Sequence, residues 1–358
     1  MRDYISFDSH KHYTLCEIED RRTGRARQFR IEHGPGVIRE FLCRHAEPGT
    51  PVAVEAIGNW YWIIDEIEQA GMRPVLVHPR KAKLMMGMIN KTDKLDVHGL
   101  NRLQRNGTLP TVWVPPGGLR DLRELTRTRM VLVSQRTRLK NRITSALAKY
   151  GLQLVGASDP YGKRRRRQLE FRLARLPEQT RAMNALLLEQ LDSLDVHIDA
   201  TERRIRRLVE QTPEMLLLKT LPGIGNILAA AVCLEIGDID RFASAERLAS
   251  YAGTTPRVHS SGGKTRYGRL RPDVNRYLRW AFVEAANSVA VHHKRRPERH
   301  VSQLYLRIRQ RRGHAKAVGA VARHLAEATY HVWTNRVPYR DPALKKGSSQ
   351  GGESADAS

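Results

Sequence analysis

Cysteines, acids and long apolar runs are all scarce in this 358-residue chain. The three cysteines, Cys16, Cys43 and Cys233, are odd in number and far apart. They make neither a disulfide framework nor a zinc-ligand set, which excludes a stapled extracellular scaffold and fits a reducing cytoplasm. The most apolar run, ILAAAVCLEIG, is broken by Glu235 and is much shorter than the about 20 residues that span a bilayer. No charged leader with an apolar core opens the chain, so the expectation is a soluble, cytoplasmic protein with no membrane partner. Acids number 37 against 62 lysines and arginines, a net charge of +25. A surplus of that size gathers polyanions, nucleic acid above all. Hydrophobic residues still make up 41%, enough for real cores, and the length suits two domains with a helical spacer.

Three zones follow one another. Residues 1–115 mix strands and helices: YISFDSH alternates like a half-buried strand, and YTLCEIE and ARQFRIE follow it. GVIREFLCRH has helical spacing, TPVAVEA reads as a buried strand, NWYWIIDEIEQAG as an amphipathic helix ending in glycine, and RPVLVHP as another strand. A helix over about Asp93–Arg105 and a short TVWV strand close the zone. Three strands, then strands alternating with helices, is the element order of an α/β, RNase H-like sheet.

PPGG marks a break, and residues 116–212 are rich in Leu and Arg and poor in strand formers. There Leu187, Leu191, Leu194, Ile198, Ile205 and Leu208 step by fours and threes as an a/d seam. Leu125, Leu132 and Leu139 belong to a second, weaker stripe. The pattern fits an α-helical coiled-coil spacer, closed either within the chain as an antiparallel pair or against a second copy. GKRRRRQ, between the stripes, reads as a solvated turn. Residues 213–340 read as a mostly helical second domain, and 341–358 as a tail of disordered composition.

Four acids of the first zone sit where chemistry could use them. Asp8 lies within the first strand and Glu55 ends the buried strand VAVE. Asp93 and Asp96 are three residues apart, on one face of a helix. Adjacent strand ends of such a sheet could bring Asp8 and Glu55 to that helix, and four converging carboxylates repel unless divalent cations hold them. Oxygen donors of this kind favour Mg²⁺ or Mn²⁺, and a pair of such ions can stabilise both the attacking and the leaving oxygen at a phosphodiester. Each acid also has an ordinary explanation: Asp93 as part of a helix start, Asp96 as the partner of a neighbouring cation.

In the second domain LPGIGNILAAAVCLEIG pairs a glycine-rich turn with an apolar helix, in the manner of a helix-hairpin-helix. Gly223 and Gly225 would let backbone N–H groups approach a phosphate, although a plain helix start accounts for them too. Further on, PRVHSSGGKTRYGRL sets two serines and two glycines among basic residues. Lys264, Arg266, Arg269 and Arg271, then Arg276 and Arg279, could stabilise charge developing on a phosphate. By composition alone the stretch is a flexible loop, and its serine is a poor nucleophile without help in losing its proton.

Taken in order, YISFDSHKH, VAVEAIGNWYW, VHPRKAK, NKTDKLDVHGL, LKTLPGIGNILAA, RFASAERLASYAGTTPR and HSSGGKTRYGR resemble the DEDD-type insertion-sequence transposases, over roughly residues 4–335. That resemblance implies a RuvC-like first domain and a C-terminal transposase domain. It maps the acidic tetrad to Asp8, Glu55, Asp93 and Asp96, and the nucleophile to Ser261, with Ser260 the lesser candidate. It implies excision and insertion of an element without target duplication, and donor and target DNA as substrates. It also implies a structured noncoding guide RNA that pairs with both DNAs, and a site built from different subunits of a dimer or tetramer. A prokaryotic, nucleoid-associated protein is the corresponding setting. Ser6 and Phe7 stand where the family usually has Gly and Ile, a departure on the strand but not at a ligand. Two other functions remain open from the residues: a RuvC-like nuclease using metal-activated water, and a non-catalytic nucleic-acid-binding assembly protein.

Overall fold

The computed structural model describes residues 3–87, 92–153, 159–162 and 164–342. The tail from 343 onward, Lys163, and the side chains of Lys264 and Arg269 lie outside the described residues. The chain divides into two compact units, 1–115 and 116–358. Among the described residues no helix is long and apolar enough to cross a membrane.

The first unit runs β1 (Tyr4–Ser9), β2 (Tyr13–Glu19), β3 (Ala26–Glu32), α1 (Val37–His45), β4 (Pro51–Glu55), α2 (Trp60–Gln69), β5 (Arg73–Val77), α3 (Pro79–Met86) and α4 (Asp93–Arg105). Its sheet has the order β3-β2-β1-β4-β5. β2 is antiparallel to both β1 and β3, while β1, β4 and β5 are parallel. This is the mixed α/β sheet expected of an RNase H-like domain. Alternation gives the sheet two unlike faces. On one, Ile5, Phe7, Cys16, Ile18, Val52 and Val54 are buried against Ile38 and Leu42 of α1 and Ile63, Ile64 and Ile67 of α2. Each such side chain contributes about 1.5–3 kcal/mol by leaving water, so this face holds through apolar burial. The other face carries buried Ser6, Glu17 and Glu19 beside Ala53 and Val77, and α4 lies on it. Hydrogen bonds contribute only about 0.5–1.5 kcal/mol net when made, but an unmet buried partner costs about 1–3 kcal/mol. Polar pairing therefore sets where α4 can sit.

TVWV was expected as a strand, and only a single bridge forms, Thr111 with Val77. The Val112 N–H donates to the Leu76 carbonyl at 2.7 Å, but Pro110, Pro115 and Pro116 carry no N–H to extend the ladder.

The second unit opens with two long helices, α5 (Gly117–Lys149) and α7 (Glu178–Leu208), joined through α6 (Arg166–Ala174). Arg129 pairs with Glu202 at 2.8 Å and Arg136 with Asp195 at 3.0 Å. As one number rises the other falls, so the helices run antiparallel. Leu191, Ile198 and Ile205 are buried, whereas Leu208, the last residue of the expected seam, is exposed. The seam thus closes within the chain. GKRRRRQ is only partly the solvated turn expected of it: Arg166 starts α6 and is gripped by Asp192 at 2.6 Å and Glu170 at 2.7 Å, which raises its pKa above the usual guanidinium value.

The remaining helices are α8 (Pro213–Leu218), α9 (Asn226–Ile236), α10 (Ala245–Tyr251), α11 (Arg276–His292), α12 (His300–Arg312) and α13 (His314–Asn335). They share an alanine-rich core whose small side chains let backbones approach closely. Between α10 and α11 the serine stretch forms a β-hairpin, β6 (Pro256–Ser261) with β7 (Lys264–Leu270). Ser261 pairs with Lys264, so Gly262 and Gly263 make the two-residue turn, with φ of 56° and 72°. Two successive positive φ values suit a type I′ turn, which follows the twist of the strands. The flexible loop expected from composition is instead a paired hairpin.

Gly223 has φ of 81°, and an added Cβ would lie 2.3 Å from the Ala285 carbonyl oxygen of α11. Gly225 has nothing within 4 Å of such an atom. Gly223→Ala should therefore destabilise the protein by at least about 2 kcal/mol in urea unfolding, and Gly225→Ala by about 0.5 kcal/mol or less. Equal losses would contradict this packing account.

Candidate active site

The parallel pairing of β1 with β4 sets Ser6 beside Ala53 and Phe7 beside Val54. One step further along the same register, Asp8 and Glu55 occupy neighbouring positions at the C-terminal edge of the sheet. Alternation turns Asp8 to the side of Ser6 and Glu55 to the side of Ala53, the face that α4 covers. Helix α4 begins there. The Thr92 hydroxyl accepts the Leu95 N–H, and Asp93 and Asp96 fall in the first turn, where the helix dipole favours carboxylates.

Hydrogen bonds fix the helix on this face. Ser6 Oγ donates to the Val97 carbonyl at 2.8 Å. Glu17, 1% exposed, accepts from Asn101 Nδ2 at 3.1 Å and from Gln28 Nε2 at 2.8 Å. His98 Nδ1 stands 3.0 Å from the same carboxylate. At the far end Arg105 pairs with Glu19 at 2.8 Å.

Asp8, His10 and Asp93 each present a ligand atom within 4.8 Å of the others. His10 Nε2 is 3.3 Å from Asp8 Oδ2 and 3.3 Å from Asp93 Oδ2. Tyr13 Oη donates to Asp93 Oδ2 at 3.1 Å. Burial raises the Asp8 pKa above the ordinary carboxylate value; His10 opposes the shift, while Asp93 and Asp96 add to it. Of the four acids expected at the site, Asp8 and Asp93 are thus in one cluster and Asp96 acts on Asp8 through its charge. Glu55 is brought to the adjacent strand position. The donor set fits a divalent cation: clustered carboxylate oxygens, and a buried Nε2 that makes no hydrogen bond.

His10, Tyr13 and Glu17 are not among the residues that the sequence singles out. His10 lies two residues after Asp8, on the same side of an extended chain, which was a usable signal. Glu17 shares a face of β2 with Leu15 and Glu19, and a face of that mixed composition does not announce itself as buried.

In the second unit Ser260 and Ser261 are exposed near the hairpin tip. The hairpin base is firmly tied: the Asn275 N–H donates to the Tyr251 carbonyl at 2.9 Å. The Asn275 side chain caps α11 by accepting from the Tyr277 and Leu278 N–H groups. Its Nδ2 donates to the fully buried Glu235 at 2.7 Å, which also pairs with Arg127 at 2.7 Å. This holds the start of α11, where Arg276 and Arg279 lie. Arg266 is exposed on β7, whereas Arg271 is engaged by Asp273 at 2.8 Å.

With its pKa raised, folded Asp8 keeps protons that the unfolded chain has released, so stability falls as pH rises through the carboxylate range. Without divalent cations, Asp8→Asn should melt above the wild type at pH 7, the gap closing as pH falls below about 4. A mutant that melts lower at pH 7 would contradict a cost to holding the Asp8 charge in this buried position.

Comparison with known proteins agrees with this architecture. Residues 5–151 match the model of the DEDD domain of IS110-type elements, described as a transposase. Residues 215–302 match the model described as the transposase IS116/IS110/IS902 family. The transposase for insertion sequence element IS1111A of Coxiella burnetii is 26% identical over 298 residues, 81% of this chain and 79% of that protein. A probable family 20 transposase of Pseudomonas aeruginosa is 27% identical, covering 68% and 72%. The pilin gene-inverting protein of Moraxella bovis is 44% identical over 69 residues, 18% of this chain and 21% of that protein. The two matched models follow one another along the chain, and the chain belongs to the DEDD-type insertion-sequence transposases, enzymes that recombine DNA.

Proposed function

We propose that the protein excises and inserts its own insertion sequence, with Ser261 as nucleophile and a divalent-metal site on Asp8, Glu55, Asp93 and Asp96. The observation that carries this is the approach of Asp8 and Asp93 at the sheet edge, with Asp96 and Glu55 arriving on the same face. The four carboxylates would hold Mg²⁺ or Mn²⁺, which when bound stabilises charge on the oxygens of a reacting phosphodiester. Ser261 Oγ attacks the phosphorus, forming a serine–phosphate ester as the bond to one sugar oxygen breaks. The serine proton passes through water to the departing sugar hydroxyl. A strand hydroxyl then attacks the ester phosphorus and returns the proton to Ser261, so phosphodiester bonds are conserved.

The two-residue turn at Gly262–Gly263 supports this role, because it leaves Ser261 at the end of a paired strand. Arg266, Arg276 and Arg279 would face the DNA backbone; Arg271 would do so only while shared with Asp273. Gly225 is the open glycine of its turn and suits a backbone phosphate better than Gly223, which packs on α11. The net charge of +25 supports a polyanionic guide, here a structured noncoding RNA pairing with donor and target, in the cytoplasm alongside the nucleoid. Exposed Val131, Met183, Leu186 and Val196 on α5 and α7 support assembly into a dimer or tetramer.

Mass spectrometry of protein trapped on element-end DNA tests the nucleophile. A nucleotide adduct is expected on Ser261, lost in Ser261→Ala and kept in Ser260→Ala. Undiminished strand cleavage by Ser261→Ala would instead mean that activated water attacks, as in a nuclease.

A further inference from the structure

We propose that His10 is a ligand of the acid site, so that one cation is held by an imidazole nitrogen together with Asp8 and Asp93. This inference rests on the metal-site reading above and adds to it a preference for a first-row transition ion, such as Mn²⁺, over Mg²⁺.

Geometry carries the assignment. Nε2 stands 3.3 Å from one oxygen of each carboxylate. Neighbouring ligands of a six-coordinate ion, bound at about 2.1 Å, stand about 3 Å apart. The two distances from Nε2 thus have the size of neighbouring-ligand edges, and the two carboxylate oxygens lie within 4.8 Å of each other. Nε2 is also buried and makes no hydrogen bond. An imidazolium serving only as a counter-charge would be expected to donate to one of the two oxygens beside it. A nitrogen shielded from solvent and equally close to both oxygens, 3.3 Å from each and in good hydrogen-bond geometry with neither, is placed as a ligand.

The surroundings fix the ring where it is. The His10 N–H donates to the Tyr13 carbonyl at 2.8 Å, and its own carbonyl accepts from Asn59 Nδ2 at 2.8 Å. The imidazole lies against the Tyr13 ring at 4.6 Å, and Tyr13 Oη holds Asp93 Oδ2. Arg30 covers the same tyrosine, 3.8 Å from its centroid. One aromatic side chain therefore orients two ligands at once, as groups behind metal ligands commonly do.

The ligand type decides the preference. Mg²⁺ takes oxygen donors and holds its waters tightly, whereas imidazole suits transition ions and is the commonest nitrogen ligand they meet in proteins. A site with four carboxylates and no nitrogen would separate the two classes of ion less.

Pulsed electron paramagnetic resonance of Mn²⁺ bound to the full-length protein tests this directly. The expected wild-type spectrum shows nitrogen hyperfine coupling, which disappears in His10→Gln. That variant should still bind Mn²⁺, but about tenfold or more weakly, with Mg²⁺ affinity nearly unchanged in competition. Bound Mn²⁺ without nitrogen coupling in the wild type overturns the proposal, and this spectrum decides even if a variant fails to fold. Coupling that survives in His10→Gln also overturns it, because another histidine is then the ligand. Asp8→Asn separates the layers. If it loses Mn²⁺ while the wild type shows no nitrogen coupling, His10 alone is wrongly assigned. If it binds Mn²⁺ as well as the wild type does, the acid site itself is not the metal site and both claims fall.

Discussion

Helix α4 rests on a sheet face that is half polar, and the buried Glu17 carboxylate determines how it rests there. A carboxylate at 1% exposure is costly to bury alone, and Asn101, His98 and Gln28 meet it from α4 and β3. Sliding α4 by one turn would strand Glu17 and Glu19 together, at about 1–3 kcal/mol for each unmet group. Apolar packing by Leu100 and Leu103 alone would tolerate such a slide more easily, since it is not directional. The position of Asp93 and Asp96 over Asp8 is a consequence of this lock.

The second unit uses the same device. Glu235, at 0% exposure, joins Arg127 of α5 to Asn275 at the head of α11. Arg123 donates to the carbonyls of Leu234 and Glu235, satisfying the C-terminal end of α9. Three helices therefore meet at one acid, and the serine hairpin leaves from beside it. In both units a buried carboxylate supplies direction that leucine and alanine cannot.

Much of the fold was legible because its signals are local. Asp93–Arg105 announces itself by a threonine cap, two first-turn acids and helical spacing. PPGG marks the start of α5 as clearly. The apolar seam at Leu191, Ile198 and Ile205 was visible too, but periodicity says only that a partner exists, and the reversed ion pairs with α5 were needed to identify it. The hairpin is hard to read from sequence for a different reason. Glycine-glycine between two basic strands is a turn signal, yet the same four residues, SSGG, have the composition of a linker. At the acid cluster, residue type singles out Asp8 and Asp93 but not His10, whose position depends on the backbone bonds to Tyr13 and Asn59. Arg271 shows the converse: its type suggested a phosphate contact, and Asp273 occupies it.

The central claim is that the acids of the first unit and the serine of the second serve a single reaction. Covalent capture of element-end DNA by Asp8→Asn, scored against equal DNA binding, tests it most directly. The expected result is no Ser261–DNA ester despite undiminished binding. A normal yield of that ester would contradict the account, because Ser261 would then act without the acid site.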